Sequence, residues 1–244
     1  MANDRLRSAL LEHGYTPESL AELIGVDAKT VERWIGGRMP HRRHRYAVAS
    51  RTRYDENYLW PDALAPDQAA DASESEIITV YPHRWAVPKD LWSHYFDTAE
   101  REIGILAYSG FFIADDPGLH ALFKAKAADG VRVRIMVGDP DSTEVAARGA
   151  DEGIDESMAS KIRNVIVLYK PLLRIEGIEI RLHDTVLYNS IYRTDDQLLV
   201  NTHIYGAGAS LAPVMHLRHV AGGDMVNTYL ESFEKVWSGS RPLD

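Results

Sequence analysis

The sequence predicts a small all-α N-terminal domain followed by a larger α/β domain. Up to Asp62, apolar residues recur at helical spacing between glycine stops. From Ala63 to Glu76 the chain is small, polar and acidic with almost no large apolar residue, as a linker would be. Beyond it, helical and strand patterns alternate, the order expected of a sheet with crossover helices. The expected domains are therefore residues 1–62 and 77–244, joined by residues 63–76.

Composition bounds the chemistry. The chain has 244 residues and no cysteine, which excludes disulfides, thiolate zinc sites, iron-sulfur clusters and cysteine nucleophiles. The N-terminus carries regularly spaced charges and no run reaches membrane-spanning length, so a soluble, cytoplasmic protein without a membrane partner is expected. The net charge of -9 is unevenly spread: residues 1–62 hold ten Lys/Arg against nine Asp/Glu, and the remainder seventeen against twenty-seven. Between Lys29 and Arg53 there are eight basic residues, and Glu32 is the one acid. A local cationic face on an anionic protein points to a polyanion partner for that face alone.

In the N-terminal part, Leu6, Ala9 and Leu10 mark a first helix over Arg5 to His13, with Asp4 as its expected N-cap. Thr16-Pro17-Glu18 reads as N-cap, first-turn proline and first-turn acid, and Gly25 as the left-handed stop of the helix they open. Asp27 then caps a third helix, Ala28 to Ile35, before Gly36-Gly37. Two short helices joined by a tight glycine turn form a helix-turn-helix pattern, with Lys29, Thr30 and Arg33 on the side away from Val31, Trp34 and Ile35.

On SLAELIGVDAKTVERWIGGRMP and YDENYLWPD, residues 4–62 resemble the DNA-binding domain of the XRE (lambda repressor and Cro-like) helix-turn-helix regulators. The resemblance implies that the start of the third helix reads double-stranded DNA through Lys29, Thr30 and Arg33, while Arg38, Arg42 and Arg43 contact backbone phosphates. The run HRRHRY after Pro40 is denser in charge than such domains need. It suits stronger phosphate binding or contacts to the acidic second domain.

In the C-terminal part, helical spacing is read over Pro88 to Glu102, Leu119 to Ala128, Ser160 to Leu173 and Asp224 to Trp237. Strands are expected at Ile103 to Tyr108, Val131 to Val137, Ile178 to Leu182 and Pro213 to Val220. Val186 to Arg193 and Gln197 to Tyr205 form a hairpin about Thr194-Asp195-Asp196. Through AADGVRVRIMVGDPDS, IEIRLH, the hairpin and YLESFEKVWSGSRP, residues 88–240 resemble one half of the phospholipase D fold. With the first domain, the chain is similar to actinobacterial helix-turn-helix regulators that carry a degenerate phospholipase-D-like domain.

That superfamily's motif is His-x-Lys, four residues, then Asp. On it His183 takes the histidine position, but the lysine and aspartate positions hold Thr185 and Ser190. Losing one such charge contact to a transferring phosphoryl group costs about 100- to 1000-fold in rate, so no catalytic residue is expected. The alternative is a dimeric phosphodiesterase or nuclease using His183, with Arg181 or Arg193 replacing the missing cation. A third possibility is an acidic C-terminal domain that folds back on the basic strip.

Period-two reasoning and the motif together assign a polar pocket to His183, Thr185, Asn189, Arg193, Asn201 and His203, suited to a small polar or phosphorylated effector. His216 and His219 lack a carboxylate at ligand spacing, so no metal is expected, and no cofactor is expected either. The sequence as a whole reads as a homodimeric transcriptional regulator.

Overall fold

The computed structural model describes residues 2–63, 75–221 and 223–243. Its chain divides into two units, Met1–Glu76 with His219–Asn227, and Ile77–Arg218 with Thr228–Asp244. The expected linker lies largely outside the described residues.

In the first unit, the described residues up to Ala63 form helices alone: α1 (Asp4–Glu12), α2 (Pro17–Ile24), α3 (Ala28–Ile35), α4 (Arg42–Thr52), α5 (Glu56–Leu59) and a 3-10 turn at Pro61–Ala63. The N-cap of α1 is Asn3, not Asp4, because the Asn3 side chain accepts the Leu6 N–H at 2.9 Å while Asp4 already lies in the first turn. Asn3 also donates its backbone N–H to Ile35 at 2.8 Å and its amide Nδ2 to Leu59 O at 2.6 Å. One residue therefore ties the start of α1 to the ends of α3 and α5. Thr16 caps α2 in a reciprocal box with Ser19, with Pro17 in the first turn. Gly25 closes α2 at φ +71°, a conformation that only glycine adopts without a Cβ penalty.

These ends aim Leu6, Leu10, Leu20, Val31, Trp34, Val48, Leu59 and Trp60 into one core. Helices α4 and α5 are absent from the sequence reading. The buried residues of α4 are only Val48 and Thr52, and its first turn is basic rather than acidic, so neither apolar period nor charge announces a helix there.

The second unit is built on an eight-stranded sheet of order β1-β7-β6-β5-β2-β3-β4-β8. The strands are β1 (Ile77–Tyr81), β2 (Glu102–Ala107), β3 (Arg132–Gly138), β4 (Ile178–His183), β5 (Asn189–Thr194), β6 (Gln197–Thr202), β7 (Val214–Arg218) and β8 (Arg241–Pro242). Strands β2, β3 and β4 are parallel neighbours, which requires crossovers, and the remaining pairs are antiparallel. Around them lie α6 (Lys89–Asp97), α7 (Phe111–Ala114), α8 (Pro117–Ala128), α9 (Thr143–Asp151), α10 (Ser157–Tyr169) and α11 (Met225–Gly239).

The β5–β6 hairpin turns at Asp195, a non-glycine residue at φ +49°. Its carboxylate accepts the backbone N–H groups of Glu100, Arg101 and Glu102 at 2.8, 2.9 and 2.8 Å, which offsets the strain and ties the turn to the start of β2. The first hairpin strand begins at Asn189 rather than Val186. Leu187 instead donates its N–H to the Tyr108 hydroxyl at 3.0 Å, outside any ladder.

Candidate functional site

In the first unit, α3 buries Val31 and Trp34, so the helical period turns Lys29 and Arg33 outward, with Thr30 half-buried beside them. Arg38, Arg42 and Arg43 are exposed on the α3–α4 connection and the first turn of α4. The His44 ring packs 5.6 Å from Trp34 and accepts Arg43 Nε at 3.0 Å, which fixes the Arg43 stem beside the α3 anchor. Burial, with Arg43 and His41 nearby, holds His44 below the ordinary histidine value, so it stays a neutral acceptor.

The ion-pairing pattern separates two sets of cations in this unit. Arg5 is paired with Asp224, Arg7 with Asp4 and Arg45 with Glu56. Lys29, Arg33, Arg38, Arg42 and Arg43 have no carboxylate partner among the described residues. Tyr46, 71% exposed on α4, adds an aromatic ring to the exposed surface of that helix.

In the second unit, the six residues expected to share a pocket are not all brought together; His183 and Thr185 meet. His183 is 2% exposed: its Nε2 donates to Ala107 O at 3.2 Å and its Nδ1 accepts the Thr185 N–H at 3.3 Å. Both ring nitrogens are committed to backbone, and burial lowers the His183 pKa, so the ring is neutral and without a free lone pair. Asn201 is fully buried and donates Nδ2 to Ala212 O and Pro213 O at 3.2 and 3.1 Å. Arg193 joins an ion cluster, pairing with Glu102 at 3.0 Å and Glu234 at 3.1 Å. Thr185 and Asn189 are half-buried and do not line the cavity beside His203.

Of the six, His203 lines a cavity of about 100 Å³. Its Nδ1 donates to Leu187 O at 3.1 Å, and its Nε2 accepts from the Ser190 hydroxyl at 3.0 Å. Burial pushes its pKa down to about 4. The register explains the company it keeps: Ser190 and Tyr192 are i and i+2 on β5 and so share the face that looks into this cavity, whereas Arg193 looks to the other.

The rest of the lining comes from residues the sequence reading missed. Arg84 stands on a 3-10 turn, Arg84–Ala86, with its guanidinium 4.3 Å over the Phe112 ring. Lys161 on α10, Ser109 after β2 and Ser210 complete the polar wall. Glu152 also lines it but is engaged by Arg148 at 2.7 Å. No sequence signal groups these residues, because they come from separate connections that only the fold assembles. Among the described residues, no group of three or more His, Asp or Glu side chains is placed to hold a metal ion. No described helix is long and apolar enough to cross a membrane.

No protein-family model and no curated protein matches the chain. Three solved structures are similar in part. Nuc, a phospholipase D family member from Salmonella typhimurium, is 16% identical, with 64% of this chain and 90% of that one covered at a TM-score of 0.39. TrmBL2, an archaeal chromatin protein with a described mode of DNA binding, is also 16% identical, with 99% and 93% covered at 0.42. Phosphatidylserine synthase from Haemophilus influenzae Rd KW20 is 11% identical, with 67% and 38% covered at 0.44. The neighbours of this mixed fold, helices with an eight-stranded sheet, thus include a phospholipase D family member and a DNA-binding chromatin protein.

Proposed function

We propose that the protein is a sequence-specific DNA-binding regulator of the helix-turn-helix type, homodimeric, whose second unit binds a small effector. The observation that carries this reading is the set of exposed, carboxylate-free cations on α3 and the first turn of α4, in a unit whose Arg5, Arg7 and Arg45 are paired. Exposed cations without a carboxylate partner among the described residues suit the phosphate backbone. Lys29, Thr30 and Arg33 read base edges; Arg38, Arg42 and Arg43 hold phosphates and set the register.

A dimer binds two half-sites about one helical turn apart. Selection of bound duplexes from a random pool, followed by footprinting, is expected to return a palindrome. Lys29→Ala and Arg33→Ala are expected to change which sequences are recovered. Recovery of unrelated sequences, or a footprint over a single unrepeated half-site, counts against the reading.

The enzymatic alternative has a specific difficulty in this geometry. A nucleophilic histidine must present a lone pair to phosphorus, and both His183 nitrogens are occupied by backbone groups in a buried setting. We therefore keep the non-catalytic reading. Turnover of a phosphodiester reporter that vanishes in His183→Ala would reverse it.

A further inference from the structure

We propose that the His203 cavity is a binding site for a compact tetrahedral oxyanion, a phosphate or the phosphate head of a monoester, held by Arg84, Lys161 and Tyr192. This deepens the reading of the second unit as effector-binding and rests on it. Three observations converge. First, Arg84 and Lys161 both line the cavity, and neither has a carboxylate partner among the described residues. The one carboxylate in the wall, Glu152, is neutralised by Arg148 at 2.7 Å. The cavity is therefore cationic on balance.

Second, Tyr192 is fully buried, lines the same cavity, and its hydroxyl has no hydrogen bond of acceptable geometry. Its polar neighbours are Arg84, which can only donate, and Ser190, which donates to His203 and stands outside hydrogen-bond geometry with the phenol. Burial raises the Tyr192 pKa, so it keeps its proton and offers a donor that lacks an acceptor. A buried donor is costly to leave unmade, and an anion oxygen supplies what is missing.

Third, the size is selective. A volume of about 100 Å³ has room for about three waters, enough for a phosphate group but not for a nucleoside. Any larger body attached to the phosphate has to remain at the mouth. His203 adds no charge: with its pKa pushed to about 4 it is a neutral acceptor fixed by Leu187 and Ser190. The two cations and the phenol therefore do the recognition, and a dianion matches them better than a monocarboxylate.

The test is isothermal titration of the full chain with inorganic phosphate, glycerol phosphate and acetate at fixed ionic strength. Saturable binding of one phosphate or phosphomonoester per chain is expected, with acetate at least tenfold weaker. Arg84→Met is expected to weaken phosphate tenfold or more. Tyr192→Phe, which removes only the unpartnered hydroxyl, should weaken it severalfold with the thermal midpoint kept or raised, and Lys124→Met, an exposed cation outside the lining, should leave it unchanged.

The paired change Arg42→Ala with Arg43→Ala separates this site from the DNA face: phosphate binding should persist while DNA binding weakens. No saturable phosphate binding, acetate as tight as phosphate, or an Arg84→Met chain that binds normally would each overturn the inference. A natural chain that binds phosphate but no duplex DNA would instead overturn the regulator reading alone.

Discussion

At the scale of single residues, His183 shows how a histidine in a motif-like position can be structural. Its ring joins the ends of β2 and β4, donating to Ala107 O and accepting from Thr185 N–H. His183→Ala is expected to cost about 1–3 kcal/mol by leaving those groups unpaired, read by urea denaturation, with phosphate and DNA affinity retained. A neutral effect on stability would show that the ring is not an anchor. His203 makes a pH prediction. Its folded pKa, about 4, lies below the ordinary value, so the unfolded chain takes up the proton first. The stability gained by keeping it neutral is present above pH ~6.5 and is lost as pH falls toward 4. His183 and His216 are also lowered by burial and act in the same direction. Denaturation midpoints should drop between pH 7 and pH 5, and an NMR titration should find His203 still neutral at pH 5; a ring titrating near 6.5 contradicts the environment described. Of these residues the sequence made His203 visible only as one polar strand residue among several. The partners that fix it, Leu187 O and Ser190, depend on where β5 starts, which spacing alone placed three residues too early.

At the scale of elements, the strand VRVRIMV was legible for its apolar positions, but its alternation misleads about exposure. Arg134 is only 8% exposed. It is bound to Glu102 through Nε at 2.7 Å and to Glu234 of α11 through Nη1 at 2.7 Å, and Arg193 shares both carboxylates. The cluster fastens α11 to one face of the sheet, with Phe233 pressed so closely on Gly104 that an added Cβ would meet its ring at 2.8 Å. Glu102→Ala leaves two largely buried guanidiniums short of a partner and is expected to cost about 3 kcal/mol or more. Glu179→Ala on the exposed β4 position should stay within about 0.5 kcal/mol. Gly104→Val should destabilise by about 1–3 kcal/mol through overpacking; a thermal midpoint unchanged by it would mean that α11 is not seated as described. Helix ends were readable because capping chemistry is local, as at Thr16 and Gly25. Helices α4, α5, α7 and α9 and the strands β1 and β8 were not anticipated. In β1, Ile77, Ile78 and Val80 are the exposed residues while Thr79 and Tyr81 are half-buried, so the aliphatic positions do not mark the covered face.

At the scale of the whole molecule, a chain of net charge -9 has, among the described residues, cations without a carboxylate partner in both units, Lys29, Arg33, Arg38, Arg42 and Arg43 in the first and Arg84 and Lys161 at the cavity of the second. The mixed class of the chain, helices with a sheet, was legible, because helical spacing and strand alternation differ in period. The cavity was not, because Arg84, Lys161 and Ser210 meet only through tertiary structure. Binding of the proposed kind, through neutralised phosphates, weakens as salt rises. The most direct test is fluorescence anisotropy of a selected duplex titrated with the full chain over a series of salt concentrations, compared with Arg42→Ala/Arg43→Ala. Each neutralised phosphate adds about 0.9 to the slope of log affinity against log salt. The proposed DNA face requires a steep slope for the natural chain and one shallower by about 2 for the double variant. A slope that both proteins share, or affinity indifferent to salt, would contradict it.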